Sequence, residues 1–179
     1  MKRRRWMTAV GVFVVGMTIG LISFKGGELV QAVEPGTGAW SGSGALGFLG
    51  NTSDGTAFAL NFNADGFLTR NLSLGPLLQL AFTGDMTQVG FSGQAKYWIA
   101  IPDTGNRAKL VLQAGLGFVH ADFLRSDTSW LIPLGVGLDY AVYRSLSLTT
   151  MFLLNFTDLD TGPGTHTNVM PGLTSGVRF

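Results

Sequence analysis

The stretch Lys109-Leu110-Val111-Leu112-Gln113-Ala114-Gly115-Leu116-Gly117-Phe118-Val119 decides the fold. Leu110, Leu112, Ala114, Leu116 and Phe118 fall on every second position. Between them stand Lys109, Val111, Gln113, Gly115, Gly117 and Val119. A helix would scatter the first set around its axis, whereas a strand sends successive side chains to opposite faces. The period of two therefore predicts a strand with one large apolar face and one face of smaller, more polar residues.

The pattern repeats downstream. Trp130, Ile132, Leu134, Val136, Leu138, Tyr140 and Val142 alternate with Leu131, Pro133, Gly135, Gly137, Asp139 and Ala141. Leu146, Leu148, Thr150, Phe152, Leu154 and Phe156 alternate with Ser145, Ser147, Thr149, Met151, Leu153 and Asn155. Extended along the chain, the rule predicts eight strands near 38–49, 56–68, 71–83, 87–101, 107–120, 129–142, 145–157 and 167–179. Each exceeds the strand of about 5–6 residues usual in soluble domains. Each suits a tilted crossing of hydrocarbon, which takes about 9–11 residues plus overhang. Turn clusters separate the segments, among them Asn51-Thr52-Ser53-Asp54-Gly55 and Pro102-Asp103-Thr104-Gly105-Asn106.

Alternation alone does not distinguish a soluble barrel from a membrane barrel. The chemistry of the second face does. A soluble exterior carries charge on about a quarter to a third of its residues. Here that face is mostly Gly, Ser, Ala, Gln and Asn, with Lys96, Lys109, Asp139 and Arg178 among its few charges. Small residues suit the crowded interior of a narrow barrel, and the large apolar residues suit lipid. Only a closed barrel satisfies every backbone group in hydrocarbon without a helix. The expected fold is an all-β, eight-stranded, antiparallel up-and-down transmembrane barrel. Trp40, Phe67, Phe82, Tyr97, Trp98, Phe123, Trp130, Tyr140 and Tyr143, near strand ends, are expected to form interfacial girdles.

Composition agrees. Among 179 residues there are 26 glycines, 13% charged residues and no cysteine, so neither disulfides nor thiolate metal sites are available. The formal charge of +1 is misleading. Lys2, Arg3, Arg4, Arg5 and Lys25 precede residue 33, against Glu28 alone among the acids. Residues 33–179 hold the remaining 7 basic and 10 acidic residues, a net charge of −3. The basic excess belongs to the leader and is no sign of nucleic-acid binding. A basic cluster from Lys2 to Arg5, followed by the uncharged Trp6 to Phe24, reads as a secretory signal. Val30-Gln31-Ala32 offers a cleavage site, which makes residues 1–32 the signal and 33–179 the barrel domain. The alternative is an uncleaved anchor, since the uncharged run is long enough to span a bilayer as a helix.

Three stretches carry a family resemblance: Gly176-Val177-Arg178-Phe179, Gly66-Phe67-Leu68-Thr69-Arg70-Asn71-Leu72-Ser73-Leu74-Gly75, and Leu134-Gly135-Val136-Gly137-Leu138-Asp139-Tyr140. They resemble the last strand, a periplasmic turn and the descending sixth strand of the small eight-stranded outer-membrane β-barrel superfamily, the OmpA and OmpX type. The resemblance spans residues 38–179. It implies a Gram-negative outer-membrane location and a role for Phe179 as the residue read by the barrel-assembly machinery.

In such a barrel Lys96, Asp139 and Arg178 fall near the periplasmic ends of their strands, and Lys109 near the start of its own. Buried charges persist only when paired or hydrated, so a polar lumen plug is expected around Asp139, the one acid among three cations. The outward loops, 50–55, 83–86, 121–128 and 158–165, carry Asp54, Asp85, Asp122, Asp127, Asp158 and Asp160 against Arg125. Asp158 and Asp160 lack the further oxygen ligands of a calcium loop. His166-Thr167-Asn168 is weighed because outer-membrane lipid A deacylases carry a His-x-Ser-Asn stretch on a barrel strand. Here Thr167 follows His166 directly, so the two point to opposite faces. No Gly-rich phosphate loop, zinc spacing or nucleophile elbow is present. The expectation is a monomeric, non-enzymatic barrel in contact with outer-membrane lipids, without metal, cofactor or nucleic acid, in a structural or surface-interaction role. A narrow pore for small solutes is the alternative, and a lipid-modifying enzyme the third class.

Overall fold

The computed structural model describes residues 36–164 and 166–179. The expected signal segment and its cleavage site lie outside the described residues. The chain forms eight strands: β1 (Trp40–Thr52), β2 (Gly55–Phe67), β3 (Leu72–Phe82), β4 (Thr87–Ala100), β5 (Ala108–Asp122), β6 (Ser126–Tyr143), β7 (Leu146–Asp160) and β8 (His166–Arg178). Each pairs antiparallel with its neighbours in sequence, and β1 closes on β8, with Ser43 opposite Arg178 and Leu49 opposite Gly172. Closure leaves no sheet edge with unpaired backbone groups. The end where β1 begins and β8 finishes is called the terminal end below, and the opposite end the distal end.

The facing follows the alternation. Along β5, Leu112, Leu116 and Phe118 are exposed while Val111, Gln113 and Val119 are buried. Leu134 and Phe152 likewise point outward. An exterior of Leu, Phe, Val, Tyr and Trp running around the barrel is solvated by hydrocarbon far better than by water.

Three girdle aromatics depart from expectation. Phe67 and Trp98 are buried in the lumen near the terminal end, and Phe123 packs against the apolar core at the distal end. Tyr97 and Trp98 are adjacent on β4, so only one of them can face outward, and Tyr97 does.

Three of the four distal loops are shorter than expected, while 83–86 lies between β3 and β4 as expected. Residues 121–122 and 126–128 belong to β5 and β6, and 158–160 to β7. The ladder runs on through His120↔Thr128 and Asp122↔Ser126. There the outward positions become polar, so the hydrophobic alternation fades although backbone pairing does not.

Glycine permits a strand contact at Gly75. A Cβ there would meet the carbonyl oxygen of Ala64 on β2. Gly75→Ala is expected to lower stability by about 1–3 kcal/mol through forced overpacking. Urea unfolding in micelles reads this, and an unchanged midpoint would show that the strands part freely at this point.

Candidate functional site

The lumen contains two chemically distinct layers. At the terminal end, inward positions supply charge. Lys96 on β4 donates through Nζ to Asp65 Oδ2 on β2 at 2.8 Å, and the two side chains are only 6% and 1% exposed. Arg178 on β8 donates through Nε and Nη2 to the two carboxylate oxygens of Asp139 on β6, at 2.9 and 2.7 Å. Its Nη2 also reaches Ser147 Oγ on β7 at 3.0 Å. A bidentate guanidinium–carboxylate pair fixes both groups in one plane, which a lysine would not do.

The two ion pairs share a plan. Each joins strands two apart, across an intervening strand whose inward residue is serine. Ser73 on β3 stands opposite Lys96 in the ladder, and Ser147 on β7 opposite Arg178. A bulkier inward residue at either serine would block the reach of the cation. Trp98 couples the pairs. Its Nε1 donates to Ser73 Oγ at 3.0 Å, and its ring lies 5.1 Å from the Arg178 guanidinium carbon. Phe67 also packs against Trp98, with ring centroids 5.6 Å apart.

Lys109 stands directly across the β5–β6 ladder from Asp139. It lines the terminal mouth together with Asp139 and Arg178. The structure thus brings Arg178, Asp139 and Lys109 to one corner, and places Lys96 on a separate acid. Asp139 is not the sole acid of the lumen. Asp65, unflagged by the sequence reading, is fully buried and holds Lys96. A signal for it existed: Asn61, Asn63 and Asp65 share one face of β2 while Leu60, Phe62 and Ala64 share the other. Above the pairs, Gln94 Nε2 donates to Asn63 Oδ1 at 2.6 Å, extending the polar layer.

The distal layer holds an apolar cluster beside buried polar residues such as Gln88, Thr157 and Thr167. Leu49, Met86, Val119, Leu131, Leu159 and Met170 are all buried there. The expected plug was a polar one around Asp139, at the terminal end. The distal inward positions admit large apolar side chains, which form a second core.

At the distal rim, His166 is exposed and Thr167 is buried, so the two face opposite ways. His166 Nε2 lies 3.3 Å from Asp158 Oδ1 on the outer surface, both well exposed. His120 Nδ1 meets Thr128 Oγ1 at 2.7 Å. Of the loop acids, Asp54 accepts from Thr83, and Asp127 accepts from the Asp160 backbone N–H at 2.7 Å. These contacts knit adjacent hairpins together. Phe179 continues the β1–β8 pairing through two backbone bonds with Gly42, each 2.9 Å.

Solved structures share this architecture. Neisserial surface protein A matches at 19% identity and a TM-score of 0.58, over 78% of this chain and 94% of that one. The N-terminal β-barrel domain of OprF from Pseudomonas aeruginosa matches at 15% identity and a TM-score of 0.55, over 78% and 97% respectively. No protein-family model and no curated protein matches the chain. At these identities the likeness concerns the fold, which is that of the small eight-stranded outer-membrane barrels.

Proposed function

We propose that this chain is an outer-membrane barrel with a structural or surface-interaction role, and that its lumen does not conduct. The observation that carries the reading is the double closure of the lumen. An ion-paired layer, Lys96–Asp65 and Arg178–Asp139, crosses the terminal half, and an apolar cluster around Leu131 and Met170 crosses the distal half. The cavity beside Lys96 and Trp98 measures about 20 Å³. That is room for roughly one water molecule, not a column of them. A hydrated ion would have to shed nearly all of its water to pass a space of that size.

In this reading the terminal end faces the periplasm, and the distal rim, with its acids and two histidines, faces outward. Phe179 serves the assembly machinery, and the protein acts as a monomer among outer-membrane lipids. Fractionation with the outer membrane, together with heat-modifiable gel mobility, tests the location.

Planar-bilayer recording of the purified protein tests the closed lumen. No stable unitary current steps are expected. Reproducible steps would transfer the assignment to the narrow-pore alternative.

Enzymatic activity is not part of this proposal. His166 has an acid partner in Asp158, but its neighbouring hydroxyl, Thr167, is turned into the lumen. Nucleophilic catalysis needs hydroxyl, base and orienting acid within mutual reach. Mass spectra of lipid A from cells with and without the gene are expected to coincide. A gene-dependent loss of an acyl chain would establish the enzyme instead.

A further inference from the structure

The terminal mouth opens into a cavity of about 160 Å³. This is far above the roughly 10–15 Å³ that one water requires. Among the described residues Arg107, Lys109, Arg144 and Arg178 line it, against Asp139 as the one carboxylate side chain. Asp139 is already held by both prongs of Arg178, so the mouth keeps a positive excess. A terminal carboxylate on Phe179 would offset one charge and leave that excess in place.

Arg107 is held firmly. Its backbone oxygen accepts from Ala141 N–H at 2.8 Å, which ties the β4–β5 turn to β6. Its guanidinium sits 5.4 Å from the Tyr140 ring centroid. Its Nε is buried and, among the described residues, has no hydrogen-bond partner. Such a donor is available to an acceptor oxygen that enters the mouth. Arg144 lines the same mouth from the two-residue turn between β6 and β7.

We propose that this mouth binds a phosphate ester, presented by the headgroup of an anionic phospholipid. Guanidinium groups match phosphate oxygens in charge and fork geometry. The lipid origin is argued from the aromatics on the same rim. Trp40, Tyr143 and Phe179 line the cavity and are 74%, 64% and 68% exposed. A soluble anion has no use for them, whereas the glycerol and upper acyl chains of a lipid cover such rings at a membrane interface. The inference rests on the reading that the barrel's exterior meets lipid.

Native mass spectrometry of the full chain in neutral detergent tests it, with phosphatidylglycerol, phosphatidylcholine and inorganic phosphate as probes. Phosphatidylglycerol adducts are expected to exceed phosphatidylcholine adducts by about tenfold, because phosphatidylcholine carries the same phosphate but adds a choline cation that the arginines of the mouth repel. The double variant Arg107→Gln/Arg144→Gln is expected to lower phosphatidylglycerol retention by a similar factor. Arg107→Lys/Arg144→Lys is expected to restore most of it, with heat-modifiable mobility showing that each variant is folded. Wild-type retention of phosphatidylglycerol by the folded glutamine variant would overturn the site. Arginine-dependent binding of inorganic phosphate with no lipid preference would overturn the lipid assignment. The adduct assay is read in detergent, so its failure is distinguishable from failure of the location, which fractionation reports.

Discussion

Replacing Asp65 by alanine is expected to lower the barrel's unfolding free energy by about 3–5 kcal/mol, because it leaves Lys96 buried without its counter-ion. Both side chains are almost wholly withdrawn from solvent, so neither bulk water nor added salt can replace the lost partner. The same truncation at Asp139 is expected to cost less. Arg178 is 15% exposed at the mouth and keeps Ser147 and the Trp98 face as partners. Urea-induced unfolding in micelles measures both. The sharper control is Asp65→Leu/Lys96→Met, which removes the pair together. Exchange of a buried pair for apolar residues of similar volume is often neutral or stabilising, so the double variant is expected to recover most of the loss. If Asp65→Ala unfolds at the wild-type midpoint, the Lys96–Asp65 pair does not hold the lumen together.

The second large effect is on the outside. Leu116 is 68% exposed near the middle of β5. An arginine in its place is expected to cost about 2–4 kcal/mol, the penalty for a cation at the bilayer midplane. Thr87→Arg, outward but at the distal end of β4, is expected to cost about 0–1 kcal/mol, since its charge reaches the headgroups. The gradient between them, measured by folding into lipid vesicles, reports depth and facing together. Equal penalties at the two positions would mean that hydrocarbon does not surround the barrel.

Asp65 and Asp139 show why the charged layer was half legible from sequence. Asp139 stands out as a lone charge in a long, regular alternation from Trp130 to Val142. Asp65 lies in β2, where Ala57, Ala59 and Ala64 blur the contrast between faces. Which acid takes which cation was not legible at all. The partners lie two strands apart in space, and 31 and 39 residues apart in sequence. Their meeting depends on the stagger of three strands and on a serine between them.

The distal plug was concealed for a related reason. Leu131, Leu159 and Met170 carry the composition of an outward face but fall on the inward phase. Read one strand at a time, each looks like a local exception. They form a layer only because closure brings β6, β7, β8 and β1 to one height.

By itself, then, the amino-acid order determined the strand count, the antiparallel up-and-down plan and the direction in which each strand's large apolar face looks. All of these follow from a period of two and from local turn chemistry, which act over a few residues. Tertiary structure alone decided how the lumen divides into an ion-paired layer and an apolar cluster, and which charges pair. Those outcomes depend on the registers at which eight ladders close, a quantity that belongs to the whole barrel and to no single strand.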